Sequence, residues 1–378
     1  MKIVIPRETR PAEARVALVP ERLRQLTGAG LTVLIEPGAG LAAGIPDEEY
    51  TAAGALVEAD AITGADVLLS VQPPTPEQVR RLADAAITIS FLPTAEEPDL
   101  IAVLRDTGRT AFAMELIPRI SRAQAMDALS SQAIIAGYRA GLVAAQRLPR
   151  FLPMQITAAG TLPPARALVL GAGVAGLQAI ATVRRLGAVV KAYDVRAAAA
   201  EEVRSVGAEF INLDLPTLEG AQGYARQMTE ERARAQRELL TPYVAEADAL
   251  ICTAAVPGRR APVLVTKDMV AGMRRGSVVV DLAAESGGNV EGSVPGEETT
   301  IGGALVWGAR NVPSQMPRQA SQLYAANVSA LLLLMTRDGV VRPDFADEVV
   351  AGACVTHQGE IRHAATAAAL DAQPVESR

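Results

Sequence analysis

Two doubly wound α/β domains, the second inserted in the first, are what this sequence predicts. Three observations carry that expectation. Short apolar runs alternate with helix-like stretches in two separate series, the pattern of parallel sheets flanked by helices. The second series opens on a strand, a glycine turn and a helix. The length, 378 residues, suits two domains of ordinary size.

In chain order, residues 2–6 read as a buried strand and 20–30 as a helix stopped by glycine. Residues 32–37, 66–71, 87–92 and 110–116 are further strand-like runs. The stretches 75–83 and 98–108 are helix-like, with Pro or Asp near their starts. Residues 130–148 carry a long helical pattern of small and apolar residues, and the Pro- and Gly-bearing stretch 149–164 reads as a hinge or linker. The second series of strands falls at 166–170, 189–193, 208–213, 248–253, 277–282 and 304–307. A helix over 315–337 ends in leucines that require burial, most simply against the first domain. This places a discontinuous α/β domain at 1–129 plus 312–378 and an inserted domain at 130–311. Residues 364–378 read as a frayed tail.

Composition excludes several classes. An apolar fraction of 49% with 21% charged residues is that of a globular chain and not a disordered one. A net charge of −6 without a basic block argues against nucleic acid as a partner. Two cysteines, Cys252 and Cys354, support neither a disulfide framework nor a four-ligand zinc site, and no metal is expected. The longest apolar run, 330–335, is far below the ~20 residues of a membrane span. The opening MKIVIPRE lacks the apolar core of a signal peptide, so a cytoplasmic location is expected. Lysine occurs only at Lys2, Lys191 and Lys267, leaving few candidates for Schiff-base or general-base chemistry.

The most specific motif is ALVLGAGVAGLQAIATVRRLG at 167–187. Gly171, Gly173 and Gly176 form GxGxxG between a strand and a helix that opens at Val174. The helix has an expected apolar face of Leu177, Ile180, Val183 and Leu186. That context is the dinucleotide fingerprint of a Rossmann-like or flavodoxin-like doubly wound domain. Gly171 permits the turn, Gly173 lets a diphosphate approach the backbone, and Gly176 lets helix and strand pack closely. The helix N-terminus then presents N–H groups to the diphosphate. Asp194, at the end of the next strand and 18 residues after Gly176, is placed to bind the adenosine ribose. Its carboxylate favours NAD over NADP. Val195 and Arg196 follow it, and Arg196 leaves that choice open.

From this point the sequence resembles the NAD(H)-binding component of proton-translocating NAD(P) transhydrogenases. The resemblance rests on RISRAQAMDALSSQ (119–132), ITAAGTLPPARALVLGAGVAGLQAIATVRRLGA, PGRRAPVLVT and VVVDLAAESGGN, and on the N-terminal KIVIPRETRPAEARVALVPE. It covers nearly the whole chain, and alanine dehydrogenase is a related family of the same architecture. The resemblance implies that Arg119, Gln124, Asp127 and Ser130 lie near the nicotinamide and its ribose. It implies a mobile loop within 216–240 that closes over bound nucleotide, with Tyr224 as the loop tyrosine. Gly223 and Gln236 match nucleotide-contacting positions, and Ala255 follows a strand whose carboxyl end meets the nucleotide.

The residues that are missing narrow the chemistry. Reducing an imine or ketone needs a general acid, usually His or Lys. Where alanine dehydrogenases keep a lysine and a histidine, this sequence has Gln72 and Pro93. Arg15 still matches the dehydrogenase's substrate arginine. The histidines, His357 and His363, lie near the C-terminus and read as surface or structural. Hydride transfer from NADH to NADP⁺ needs no acid. With a single fingerprint present, NADP(H) is expected on a partner. The resemblance implies an NADP-binding beta subunit, a small membrane-spanning alpha-2 subunit, peripheral attachment to the inner membrane through them, and a homodimer. The alternatives are an alanine dehydrogenase-like oxidoreductase and a non-catalytic NAD-binding module.

Overall fold

The computed structural model describes residues 1–213, 215, 230–255 and 260–371. The chain forms two compact units, Met1–Gln132 with Pro313–Arg378, and Ala133–Val312. The division falls inside one helix, Ala128–Arg147.

In the first unit, β-branched and leucine-rich runs make the parallel strands Lys2–Ile5, Thr32–Ile35, Leu56–Val57, Val67–Leu69, Ile87–Ser90 and Thr110–Ala113. Their spatial order, numbered along the chain, is 3-2-1-4-5-6, and Cys354–His357 adds antiparallel beside Thr110–Ala113, followed by Glu360–Ile361. This is the Rossmann order and not the flavodoxin order. Thr75 starts helix Pro76–Arg81 with a complete capping box closed by Gln78. The helix Pro317–Leu334 buries Tyr324, Val328, Leu331 and Leu332 in the core of this unit, alongside Ile3, Ile5 and Phe112. Its apolar face is thereby used within the chain and gives no reason of its own to expect a second copy.

In the second unit, the strands Arg166–Leu170, Val189–Tyr193, Glu209–Phe210, Ala249–Cys252, Val278–Asp281 and Ala304–Gly308 repeat the order 3-2-1-4-5-6. Glu298–Ile301 adds an antiparallel edge beside Ala304–Gly308. Both faces of the sheet are covered. One core gathers Ala140, Val143, Val169, Ile180, Val183 and Val280, and the other Leu168, Leu170, Leu240, Val244, Leu250 and Val306.

Four expectations need correction. Residues 149–164 are not a plain linker, because Gln155–Thr157 and Gly160–Leu162 pair as an antiparallel hairpin. Alternation there is masked by the flanking prolines. Ala364–Asp371 is helical, not frayed. The fingerprint helix buries Ala179, Ile180, Thr182 and Val183, while Leu186 stays exposed as its C-cap. The antiparallel strands at Glu298–Ile301 and Cys354–His357 were not expected, since each is short and half polar.

Candidate functional site

In the second unit the strand order reverses between Arg166–Leu170 and Ala249–Cys252, which are direct neighbours. In open α/β sheets the crevice outside the carboxyl ends of such strands is where ligands bind. Residues 171–173 and 253–255 leave from those two ends. Gly171 has φ +96°, a left-handed conformation that favours glycine, and a Cβ there would press on Thr253 Oγ1 at 2.8 Å. Thr253 Oγ1 donates to the Gly171 carbonyl at 2.9 Å, tying the two loops together. A Cβ on Gly176 would lie 1.9 Å from the Gly171 carbonyl oxygen, so the helix can approach the turn only as glycine. A Cβ on Gly173 would meet nothing within 4 Å among the described residues, so that position is open among them.

Gly173 is the N-cap of helix Val174–Arg185, no side chain among the described residues caps its first-turn N–H groups, and Val174 is exposed at its start. Asp194 stands at the end of strand Val189–Tyr193 and accepts from the Ala172 N–H at 2.7 Å. Arg196 grips the same carboxylate. Its backbone N–H and Nε donate to Oδ1 at 2.9 Å each, and Nη2 donates to Oδ2 at 3.1 Å. Nη2 also donates to the Ala172 carbonyl at 3.2 Å. Bonding to Asp194 raises the Arg196 pKa further. Val195 lies between them, packed against the core that holds Tyr193.

Helix Glu230–Glu246 brings Gln236 inward, where it is buried and accepts from Tyr193 Oη at 3.4 Å. Ala255 is exposed beside Thr253 and Ala254. Gly223 and Tyr224 lie outside the described residues. Two residues that residue-by-residue reading missed organise this side. Asp281, fully buried, accepts N–H bonds from Ala283, Asn289 and Val290 at 3.1–3.2 Å, and burial raises its pKa. Asn289, also fully buried, donates to the Ala254 and Pro262 carbonyls at 2.8 Å each and so fixes the loop that carries Ala255. Their only signal was the stretch VVVDLAAESGGN, read as a block.

In the first unit, the segment 119–130 runs through the 3₁₀ helix Ser121–Met126 into helix Ala128–Arg147. Arg119 and Gln124 are exposed; Asp127 and Ser130 are half-buried. Asp127 acts as an N-cap, accepting from the Ser130 N–H at 2.8 Å and the Ser130 hydroxyl at 2.6 Å. Ala123 and Met126 point the other way, into the core.

The first unit has its own order reversal, between Lys2–Ile5 and Val67–Leu69. Its crevice is filled by the chain's own polar groups. Glu8 accepts from the Val71 N–H at 2.5 Å and more weakly from Gln72 at 3.3 Å. Burial, then the nearby Glu13 charge, outweighs those bonds and pushes the Glu8 pKa up to about 7. Glu13 is fully enclosed and takes a two-pronged bond from Arg15, Nε at 2.8 Å and Nη2 at 2.6 Å, plus Gln72 Nε2 at 2.7 Å. Burial alone would raise Glu13, but the bonds and charge of Arg15 hold it at about 2. The remaining Arg15 arm, Nη1, donates to Gln132 Oε1 at 2.9 Å. Arg15 is thus committed inside the protein. Gln72 and Pro93 offer no proton shuttle. His357 bonds Thr110 and His363 bonds Thr366, so both histidines hold the C-terminal strands and helix in place.

The fold and its fingerprint define a dinucleotide-binding α/β protein of two doubly wound units. Comparison with known proteins makes this more specific. A family described as alanine dehydrogenase/PNT, N-terminal domain, matches residues 4–136, and one described as alanine dehydrogenase/PNT, C-terminal domain, matches 140–364. The chain is 46% identical to the first part of the NAD(P) transhydrogenase subunit alpha of Rhodospirillum rubrum, over 97% of this chain and 98% of that one. The crystal structure of a transhydrogenase from Sinorhizobium meliloti superposes with a TM-score of 0.85 at 43% identity, covering 97% of this chain and all of that one. An alanine dehydrogenase of Halomonas elongata is 30% identical over 100% of this chain and 99% of its own. The chain belongs to the alanine dehydrogenase/PNT family.

Proposed function

We propose that this chain is the NAD(H)-binding component of a proton-translocating transhydrogenase, active only with partner subunits. One observation carries the reading. An intact dinucleotide fingerprint with its ribose acid stands in a chain whose dehydrogenase proton-transfer positions hold Gln72 and Pro93. A keto-acid or imine reduction would stall there. When bound, NADH supplies a hydride that passes from carbon to carbon to NADP⁺ on the partner, with no proton exchanged at either ring.

The chain's own residues then have to bind, orient and exclude water. The open N-terminus at Gly173–Val174 holds the diphosphate. Asp194 takes the adenosine ribose hydroxyls as Arg196 gives up part of its grip. Gln236 acts from behind, through Tyr193, and Ala255 lines the nucleotide on the loop fixed by Asn289. Arg119, Gln124, Asp127 and Ser130 serve the nicotinamide and its ribose, and Gly223 and Tyr224 close over the nucleotide.

The partners in this reading are an NADP-binding beta subunit and a small membrane-spanning alpha-2 subunit. Among the described residues no helix is long and apolar enough to cross a membrane. In this reading attachment to the membrane is peripheral, through those partners. A homodimer is supported by the hairpin Gln155–Thr157/Gly160–Leu162, which leaves Ile156 74% and Leu162 50% exposed.

The test follows hydride from NADH to a coloured NADP⁺ analogue, with and without a purified NADP-binding partner domain from a known transhydrogenase. Transfer only with the partner is expected. NADH binding without transfer, while a homologous chain works with the same partner, would contradict it. Oxidation of NADH by pyruvate and ammonium would favour the dehydrogenase alternative.

A further inference from the structure

A buried hydrogen-bond chain crosses the first unit. It begins in the filled crevice, where Gln72 and Arg15 both bind Glu13. Arg15 passes it to Gln132 at 2.9 Å, and Gln132 Nε2 donates to the Ser131 hydroxyl at 3.3 Å and the Ala320 carbonyl at 3.1 Å. The Ser131 hydroxyl donates to Asn327 Oδ1 at 2.7 Å. Asn327 Nδ2 donates to the Ala125 carbonyl at 2.8 Å. The chain ends on the backbone between Gln124 and Asp127. Asn327 is 7% exposed, on the rigid helix Pro317–Leu334, so both of its amide atoms are committed in a shielded place. The surface ion pairs of this segment, Arg122 to Asp347 and Glu348, are exposed and contribute little, while Ala123 and Met126 anchor it in the core.

We propose that Asn327 is a positioning residue for hydride transfer, holding residues 124–127 in place through the Ala125 carbonyl. The inference rests on the proposed role of that segment at the nicotinamide. An amide is required because the site needs a donor toward Ala125 and an acceptor toward Ser131 at once. Arg15, Gln132 and Ser131 hold the amide in that orientation. A displacement of this segment by a fraction of an ångström would misplace the groups proposed to meet the nicotinamide while leaving the fingerprint glycines as they are.

The test compares Asn327→Leu, which keeps the branching and heavy-atom count and removes both bonds, with Asn327→Asp, which keeps the acceptor and loses the donor. Leu331→Ala, in the same helix and fully buried, is the packing control. Each is assayed with the partner domain at saturating NADH, alongside NADH affinity by fluorescence and thermal melting. Both Asn327 variants should slow transfer about tenfold or more while the NADH dissociation constant moves less than about threefold. Leu331→Ala should melt earlier yet keep the rate within about twofold when assayed below its melting point. Unchanged rates in the Asn327 variants, or an equal loss in Leu331→Ala, would overturn the inference while leaving the functional reading intact. Failure of the unmodified chain to transfer hydride would overturn that reading and this inference with it.

Discussion

Gly173 and Gly176 share one motif but do different work. Gly176 is demanded by the protein, since any Cβ runs into the Gly171 carbonyl oxygen. Among the described residues nothing lies within 4 Å of the Cβ that Gly173 lacks, so in the proposed function it is the ligand that demands a glycine there. Gly176→Ala should therefore lower stability by about 1–3 kcal/mol and weaken NADH binding with it. Gly173→Ala should melt like the parent and bind NADH at least about tenfold more weakly. Melting and fluorescence titration of the pair check this, and equal melting losses would contradict it. Asp194 was found from its position alone. That Arg196 clasps both of its oxygens could not be read from sequence, because it depends on the backbone turn between them.

The buried acids of the first unit give a pH dependence that can be worked out in sign. The Glu8 and Glu115 pKa values are raised to about 7, in both cases chiefly by burial, so the folded state binds protons that the unfolded state has released above its own carboxyl range. Stability from these groups is greatest at or below about pH 4.5 and falls as pH rises toward 7. Glu13, held at about 2, acts oppositely, and its contribution is lost as pH falls from about 4.5 toward 2. Melting temperature should peak near pH 5. Glu8→Gln should flatten the decline toward pH 7 by on the order of 2 kcal/mol, a figure discounted for the residue's partial exposure. A parent chain that gains stability from pH 5 to 7 would contradict this.

The hairpin within 149–164 gives a second prediction at the level of elements. Ile156→Asp changes a side chain that the single chain leaves in solvent, so melting of the isolated chain should hardly move. Sedimentation should shift toward monomer if this face joins two copies, and an unchanged dimer would exclude the hairpin as its interface. The parallel strands were legible because buried on both faces they read as continuous apolar runs, such as Val278–Asp281. The hairpin and the short antiparallel edges were not, because strands of three or four residues carry too little alternation to stand out. The fingerprint was legible for a related reason, since its glycines, strand and acid act locally. The chain from Gln72 to Ala125 was not, because it joins residues from four distant stretches that only the fold brings together.

At the scale of the whole molecule, two sheets of identical strand order serve different purposes. Among the described residues the second unit leaves space at Gly173, where the proposed function puts the nucleotide's diphosphate. The first fills its own crevice with Glu8, Glu13, Arg15 and Gln72 and uses them as support. In the proposed function a chain built this way binds and orients a nicotinamide, with Gln72 and Pro93 where the dehydrogenases keep a lysine and a histidine. The direct test uses NADH carrying deuterium on its transferable C4 position, mixed in ordinary water with this chain, an NADP⁺ analogue and the NADP-binding partner domain. The label should appear undiluted at C4 of the reduced analogue, and only when the partner is present. Solvent hydrogen at that carbon, or oxidation of NADH by pyruvate and ammonium without a partner, would contradict the account.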